Sequence, residues 1–322
     1  MEPRFKARRA LVALAVPALL TGACGPRTAD EPVAERPAAA GVVTLGSVSL
    51  TPGEEYEVLQ PFATALAARL GDVGIGSGRA LVVDSVGAMA EKLVAGEVDL
   101  YIDSPFPAAL VAQRSGALPV LTRSKHGVSE YHSVFFARKD SGVRSLDDLR
   151  GRVIAFGEPF STASYFLPRA TLQALGYTLE RVEDPAASEA PVRIGYVVSG
   201  DAESSTVWVL KGKVAAAAIN GDYYAEMVGA RADEVEIIGR TIDVPRNVVC
   251  VRRDLPPKTV DAIERALLGM HRDEAGRHAL EQYRRTERFD RLPGGATGFF
   301  ARLDPLLSAL GDELAVDSAW RR

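Results

Sequence analysis

Histidine and cysteine are scarce in this chain, which has four His and two Cys among 322 residues. They do not form the closely spaced groups that hold structural zinc. Positive charge is not in excess either, because the formal net charge is −4 at pH 7, and no basic stripe carries interleaved aromatic side chains. These absences argue against a zinc site and against a nucleic-acid-binding protein.

The signatures of common enzyme classes are also missing, since the sequence has no nucleophile elbow, no P-loop and no dinucleotide fingerprint. The Gly-rich stretch 74–78 precedes a predicted strand, whereas a phosphate-gripping loop follows a strand and opens a helix. Acid–base groups are present at His126, His132, Asp103 and Asp201, but no motif unites them. We therefore predict a protein that is not an enzyme and that uses no cofactor and no metal.

What the chain does have, at its start, is the pattern of an export signal. A basic stretch at 4–9 precedes the apolar run 10–20, which is too short to span a bilayer as a helix. The following Thr21-Gly22-Ala23-Cys24 resembles a bacterial lipobox, although Thr21 stands where leucine is usual. We expect residues 1–24 to be a lipoprotein signal peptide and Cys24 to carry the lipid. Ordinary secretory cleavage nearby is the alternative, and both predict export.

Residues 25–40 are rich in proline, alanine and charge and have no apolar period, which predicts a flexible tether. The other cysteine, Cys250, lies in the apolar run 248–251, so we expect a buried, unreactive thiol. Because Cys24 is expected to be acylated, no intrachain disulfide is predicted.

The hydrophobic content of 47% supports folded domains. After the tether, the apolar pattern predicts alternating strands and helices. Strands are predicted at 42–45, 80–83 and 98–102, with helices around 59–70 and 86–95, and the first helix ends in a loop at 71–78. This order is typical of a parallel sheet with crossover helices. A second series begins near residue 133, and the similarity of 93–99 to 209–215 suggests two similar lobes. Chance similarity of β-α segments is the alternative.

Two longer extended segments, 131–137 and 247–251, stand where the chain would cross between the lobes and return. On this interpretation residues 41–133 and 245–322 form lobe 1, which the C-terminal helices complete, and residues 134–244 form lobe 2. The predicted fold class is therefore α/β with two lobes and two crossing hinge strands. Because open α/β sheets bind ligands at the carboxyl ends of their strands, we expect the binding site in the cleft between the lobes.

An anion-binding turn is predicted after the strand 153–156, where three hydroxyl residues precede a helical pattern. These residues are Ser161, Thr162 and Ser164. A helix start offers unpaired N–H groups and the positive end of the helix dipole, and the hydroxyl groups would add donors. The alternative is that one of them is an ordinary N-cap and the others are incidental. Pro168 would interrupt a helix that begins near Thr162, so we expect a kink or a second helix start.

Together with its neighbours, this turn resembles the phosphonate-binding subfamily of periplasmic solute-binding proteins, the ligand receptors of phosphate, phosphite and phosphonate ABC importers. The resemblance covers nearly the whole expected mature chain. Its carriers are the loop 52–56, the segments 96–105, 131–142 and 145–151, the turn at Ser161, and the segment 210–214. It implies a two-lobed periplasmic-binding-protein fold of type II (Venus flytrap), ABC permease partners and a monomer.

The resemblance also implies which residues face the ligand. In such proteins the Ser-Thr-x-Ser loop holds a tetrahedral oxyanion, which gives Ser161, Thr162 and Ser164 this role. The residues that face the same cleft by similarity are Tyr56, Asp103, Ser104, Tyr131 and His132. Hinge packing is the alternative for Tyr131, and a structural histidine is the alternative for His132.

The charge near the expected site departs from the family pattern. Relatives often have a Gly-Ser-His-Asp sequence where this chain has Asp201 and Glu203 and no histidine. With Asp103, these carboxylates would repel an anion. They could instead accept a hydrogen bond from a protonated oxyanion or pair with the amine of a zwitterionic ligand such as an aminoalkylphosphonate. The motifs contain no obvious arginine, and we expect Arg123 and Lys125 to be solvated.

The predicted function is that of a binding protein, lipid-anchored in the periplasm or at the cell surface, that closes on a small tetrahedral oxyanion and delivers it to a membrane permease. Its expected partners are an anionic or zwitterionic ligand, the permease, and the membrane through the lipid. The alternative is a binding protein that presents its ligand to a membrane sensor kinase or another signalling receptor.

Overall fold

The computed structural model describes residues 41–49, 51–125, 127–159, 161–185 and 192–311. The expected signal peptide, Cys24 and the tether lie outside these residues. None of the described helices is long and apolar enough to cross a membrane.

The first part of the chain alternates strands and helices around one sheet. Its elements are β1 (Gly41–Val48), α1 (Pro52–Ala67), β2 (Ile75–Val83), α2 (Val86–Val94), β3 (Leu100–Asp103), α3 (Pro105–Ser115) and β4 (Leu118–Ser124). Strand β1 pairs in parallel with both β2 and β3, so α1 and α2 are crossover helices. The predicted parallel β-α-β-α-β order is confirmed here.

Strand β2 begins earlier than the sequence predicted, because it includes the second half of the expected loop 71–78. Gly78 allows the strand to lie directly against α1, since a Cβ there would be 2.0 Å from the carbonyl oxygen of Ala63. Gln60 of α1 joins the two elements by donating to the carbonyl of Gly78 at 2.9 Å and accepting from the N–H of Ala80 at 2.8 Å. Glycine therefore serves close packing here rather than a turn.

The middle of the chain begins with a short strand outside both large sheets and then forms a second sheet. Its elements are β5 (Glu130–Tyr131), β6 (Ser133–Arg138), β7 (Val153–Phe156), α4 (Leu167–Ala174), β8 (Thr178–Arg181), β9 (Arg193–Val198), α5 (Ala202–Leu210), β10 (Ala216–Asn220), α6 (Tyr224–Val228) and β11 (Val235–Arg240). Strands β6 to β11 lie in the order β11-β6-β10-β7-β9-β8. Strand β7 is parallel to β9 and β10, so this lobe repeats the crossover pattern of the first.

The chain then returns to the first sheet. The remaining elements are β12 (Val244–Pro245), β13 (Val248–Val251), α7 (Pro257–Gly269), α8 (Glu274–Gln282), β14 (Arg288–Arg291) and α9 (Gly295–Leu310). Strand β12 pairs with β5, and this antiparallel pair is the hinge between the lobes. Strands β13 and β14 complete a sheet in the order β14-β4-β13-β3-β1-β2. The predicted α/β architecture with two crossing strands is confirmed, although the return crossing is β12 and the predicted segment 247–251 is β13 of the first sheet.

The sequence predicted the burial of Cys250 in β13 but not the packing of helix α9. Cys250 of β13 is a fully buried free thiol, as expected, and burial raises the pKa of this thiol. Helix α9, by contrast, does more than complete lobe 1. It packs against β4 and α3 and also against α4 of the second lobe, and its Phe299 and Leu303 share one apolar core with Leu167 of α4. An amphipathic pattern shows that a helix face is buried but not which lobe buries it.

Candidate functional site

The predicted anion-binding turn is a π-helical turn followed by a separate helix. The π-helical residues are Thr162–Phe166, and α4 begins directly after them with Pro168 in its first turn. Pro168 has no N–H to donate to the carbonyl of Ser164, four residues earlier. That carbonyl accepts instead from the N–H of Gly157 at 2.9 Å. The expected second helix start is therefore present, and the proline explains why the regular α-helix does not extend back to Thr162.

Ser161 caps this turn and also lines a cavity between the lobes. Its Oγ accepts a hydrogen bond from the N–H of Ser164 at 3.1 Å, so the N-cap role is real. A hydroxyl that accepts still has its own hydrogen to donate. The cavity has a volume of about 240 Å³ and is lined by Val48, Val86, Asp103, Pro107, Glu158 and Ser161. Because these residues come from both lobes, the two roles of Ser161 are compatible.

The other two hydroxyl residues of the turn are more enclosed. Thr162 is only 1% exposed, and its Oγ1 accepts from the N–H of Phe106, at the start of α3, at 3.2 Å. Ser164 is buried against Gly157, where a Cβ would lie 2.4 Å from the Ser164 Oγ. The structure thus brings Thr162 to the contact between the lobes, and Ser161 is the member of the trio that lines the cavity.

Asp103 and Ser104 face this turn from the end of β3. The Asp103 carboxylate accepts from the phenol of Tyr101 at 2.7 Å, from the Ser104 N–H at 2.6 Å and from the Ser104 hydroxyl at 3.1 Å. Burial nevertheless raises the pKa of Asp103 above its usual range, because desolvation outweighs these bonds and the field of Arg284. Asp103 therefore holds its proton to a higher pH than an exposed aspartate does.

Two further carboxylates belong to the second lobe. Asp201 is exposed and caps α5, because its Oδ1 accepts from the N–H of Ser204 at 2.6 Å. Glu158 lies in the turn after β7, and its pKa is raised by partial burial and then by the charge of Asp201. Sequence reasoning did not assign Glu158 to the site, although it stands inside the turn already identified as anion-binding.

A larger cavity of about 540 Å³ adjoins the first. Its lining residues are Val48, Ser49, Thr51, Glu54, Glu55, Val58, Glu158 and Arg284, of which Val48 and Glu158 also line the smaller cavity. Arg284 forms an ion pair with Glu55. Sequence reasoning missed this arginine, since it lies 229 positions from its partner and outside every motif.

The remaining predicted residues lie at the hinge or at the surface. Tyr131 of β5 is buried, which raises the pKa of its phenol, and the Arg246 guanidinium lies 5.5 Å from its ring. His132 places its Nδ1 3.1 Å from Oδ1 of Asp243. Tyr56 is 46% exposed on α1 and does not line either interlobe cavity. Ligand contact by these residues stays a prediction.

The expectation that Arg123 is solvated is wrong. Arg123 lies at the end of β4 and is only 6% exposed. Its Nη2 donates to Oδ1 of Asn247 at 2.7 Å, and its guanidinium lies 5.7 Å from the ring of Tyr283. Burial lowers the pKa of Arg123, as do the charges of Arg284 and Arg246. The last four residues of β4 are all buried, so this end of the strand is covered on both faces.

Another cavity, of about 440 Å³, lies within the second lobe, and its charged lining residues are Arg138, Asp140, Arg152 and Lys213. It lies where β7 and β10 begin, whereas open α/β sheets bind ligands where strands end. Among the described residues, no group of three or more His, Cys, Asp or Glu could hold a metal ion. The interlobe cavities are therefore the candidate ligand site.

Two sheets that are joined by a two-stranded hinge, with a cleft lined from both sides, define a two-lobed solute-binding protein of type II. Residues 48–292 match the sequence profile of a family described as "ABC transporter, phosphonate, periplasmic substrate-binding protein", and the chain belongs to this family. Proteins of this family bind small anionic ligands and work with ABC permease subunits, and they are not enzymes. Membership implies export to the periplasm.

Individual proteins and solved structures are similar to part or most of this chain. Phosphate-import protein PhnD of Mycolicibacterium smegmatis is 32% identical over 113 residues, which are 33% of this chain and 35% of that protein. The chain thus matches about a third of this relative's length. The structure of XAC2383 from Xanthomonas citri bound to chloride ion is 27% identical with a TM-score of 0.76, and the match covers 83% of this chain and 98% of the other.

Two more solved structures carry ligands. A structure of XAC2383 bound to ATP is 26% identical with a TM-score of 0.76, covering 84% of this chain and 98% of the other. PhnD1 from Prochlorococcus marinus in complex with methylphosphonate has a TM-score of 0.59 and 15% identity, covering 84% of this chain and 98% of the other. At that identity the likeness to PhnD1 concerns the fold alone.

Proposed function

We propose that this chain is the substrate-binding component of an ABC importer for a small phosphorus oxyanion, namely phosphonate, phosphite or phosphate. The observation that carries the proposal is the position of Ser161, which caps a helical turn of the second lobe and lines one cavity with Asp103 of the first. An oxyanion there would accept from the Ser161 hydroxyl. A closed cleft would hold it between the lobes, for delivery to a membrane permease.

The acidic side chains limit which form of the anion fits. Asp103 has a raised pKa, so it is protonated more readily than an exposed aspartate. Its acid form can donate to an oxyanion oxygen, and its carboxylate form can accept from a protonated oxyanion. Glu158 offers a second carboxyl group in the same cavity. A zwitterionic ligand such as 2-aminoethylphosphonate would pair its amine with such a carboxylate.

Family membership supports this proposal, as does the similarity to a protein named for phosphate import. We also propose that residues 1–24 direct export, that Cys24 carries the lipid anchor and that residues 25–40 tether a monomeric body near the membrane. The flexible composition of the tether would leave the body free to meet its permease.

The test is thermal unfolding of the purified protein with phosphate, phosphite, methylphosphonate, 2-aminoethylphosphonate, sulfate and ATP. A ligand at one hundred times its Kd adds about 2.7 kcal/mol to the free energy of unfolding, so a selective increase in Tm with one phosphorus compound is expected. A response to sulfate alone, or to none of the compounds, would reject the ligand class.

The anion-binding turn is tested with Ser161→Ala. Loss of a hydrogen bond to a charged group should weaken binding of methylphosphonate or phosphate by about 10- to 150-fold. Loss of the N-cap should also lower the ligand-free stability by about 0.5–2 kcal/mol without unfolding the protein. Ser308→Ala, at an exposed position of α9, is the matched control and should bind like the wild type. Equal affinity of the two variants would show that Ser161 is only an N-cap.

A further inference from the structure

The two interlobe cavities are more acidic than a site for an anion should be. Their charged lining residues, among those described, are Glu54, Glu55, Asp103, Glu158 and Arg284. We infer that Arg284 is a ligand-contacting residue that determines specificity, because it supplies the positive charge that the motifs lack, and that its guanidinium binds an oxygen of the phosphorus oxyanion. This inference rests on the proposed function.

The guanidinium of Arg284 has donors to spare. Its Nη2 forms the ion pair with Glu55. Its Nε and Nη1 form no hydrogen bond with any of the residues that the structure describes. An arginine side chain carries five N–H donors in a planar fork, which matches the oxygens of a phosphoryl or phosphonyl group. The side chain is about half exposed, at 48%, and faces the larger cavity, so a ligand can reach it.

Glu55 holds this arginine in place and is itself held. It is 7% exposed, and its Oε1 accepts from the hydroxyl of Ser47 at 2.7 Å, while its Oε2 pairs with Arg284. A carboxylate that is already paired repels an incoming anion less than a free one does. The positive charge of Arg284 also acts on the smaller cavity. It lowers the pKa of Asp103 there and so opposes the effect of burial.

The backbone at Arg284 is unusual in a way that fixes the direction of the side chain. Arg284 and Arg285 have φ of 56° and 53°, and they are the non-glycine residues with positive φ among those described. This left-handed conformation costs free energy for residues with a Cβ. It is maintained because the Arg285 N–H donates to the Glu281 carbonyl at 2.9 Å and the Thr286 N–H donates to the Leu280 carbonyl at 2.9 Å.

An aromatic anchor precedes the same turn. Tyr283 is buried, and its ring stacks on that of Phe62 of α1 at a centroid distance of 4.1 Å. Helix α1 also carries Glu55, the partner of Arg284. The turn and the first turn of α1 are therefore fixed relative to each other, which sets Arg284 at the edge of the first lobe, opposite Glu158 of the second.

The two cavities share Val48 and Glu158, so Ser161 and Arg284 lie on either side of a common region. An oxyanion placed there would meet a hydroxyl from the second lobe and a guanidinium from the first. The carboxylates around it would then reject ligands of higher negative charge unless these are protonated, which makes Arg284 decisive for how much negative charge the site accepts.

The test is calorimetric titration of the purified protein with methylphosphonate and with phosphate, for wild type, Arg284→Gln, Arg284→Lys and Arg285→Gln. Arg285→Gln is the matched control, since it removes the same charge from the same exposed left-handed turn. We expect Arg284→Gln to weaken binding on the order of tenfold or more, Arg284→Lys to bind with intermediate affinity, and Arg285→Gln to bind within about twofold of wild type. Ligand-free Tm of each variant reports on folding.

If Arg284→Gln and Arg285→Gln both bind like the wild type, the role of Arg284 is overturned and the proposed function remains intact. Equal weakening of both variants would also overturn it, because the effect would then come from net charge or from the turn. Absence of binding by the wild type to either compound would reject the proposed ligand class together with this inference.

Discussion

Replacement of Thr162 by valine tests whether closure of the cleft depends on the hydrogen bond between the lobes. Valine has nearly the shape of threonine but cannot accept from the N–H of Phe106, which now bonds to Thr162 at 3.2 Å. Both residues are buried, so the N–H would lose its partner without gaining water. A buried unsatisfied donor costs about 1–3 kcal/mol. Because the bond joins the lobes, this cost falls on the closed arrangement.

The matched control is Thr162→Ser, which keeps the hydroxyl and loses one methyl group, worth about 0.8 kcal/mol. Titration with methylphosphonate should give a Kd for Thr162→Val that is about 5- to 150-fold weaker than that of Thr162→Ser. Small-angle scattering without ligand should show a larger radius of gyration for Thr162→Val, which a residue that only touched the ligand would not cause. Equal Kd and equal radius for the two variants would refute the reasoning.

Two other predictions concern the acidic side of the cleft and the packing of the first lobe. Glu158 has a pKa that is raised by burial and by Asp201, so it is neutral at low pH and becomes a repulsive carboxylate as pH rises through that pKa. Relative to Glu158→Gln, the wild type should therefore lose affinity for methylphosphonate as pH rises. The ligand's own titration cancels in the ratio of the two Kd values, so a ratio that does not change with pH would contradict this prediction. Gly78→Ala places a Cβ 2.0 Å from the carbonyl oxygen of Ala63 and should lower the free energy of unfolding by about 1–3 kcal/mol or more. Urea unfolding measures this, with Gly71→Ala, where a Cβ meets nothing within 4 Å, as the control that should stay near wild type.

The features that were predictable from the sequence are those that neighbouring residues determine. Apolar periodicity identified the strands and crossover helices, and the two extended segments identified where the chain crosses to within a few residues, because β5 and β12 directly precede the strands that these segments form. Pro168 predicted the second helix start because its missing N–H acts within one turn. Ser161 could be placed at a helix start for the same local reason, and the structure adds that this start faces Asp103.

The features that were not predictable depend on residues that are distant in sequence. The Gly-rich segment before residue 79 looked like a loop, because its contact with Ala63 is a property of helix packing and not of local pattern. Arg123 looked solvated, since its partner Asn247 lies 124 positions away, directly before the neighbouring strand β13. The ion pair between Glu55 and Arg284 spans 229 positions, and no motif contains the arginine. Missing long-range contacts, rather than wrong propensities, account for these errors.

The division of the site between the lobes decides whether ligand can close the cleft at all. A ligand shifts an equilibrium between two conformations only by the difference in its affinity for them. An oxyanion that contacted Ser161 alone would bind equally well whether the lobes were apart or together, and closure would gain nothing from it. The first lobe must therefore contribute a contact, and it offers two groups of opposite kind, the guanidinium of Arg284 and the carboxyl of Asp103. Closure should then follow the charge state of the bound oxyanion, because Arg284 favours a charged oxygen and Asp103 favours one that shares a proton.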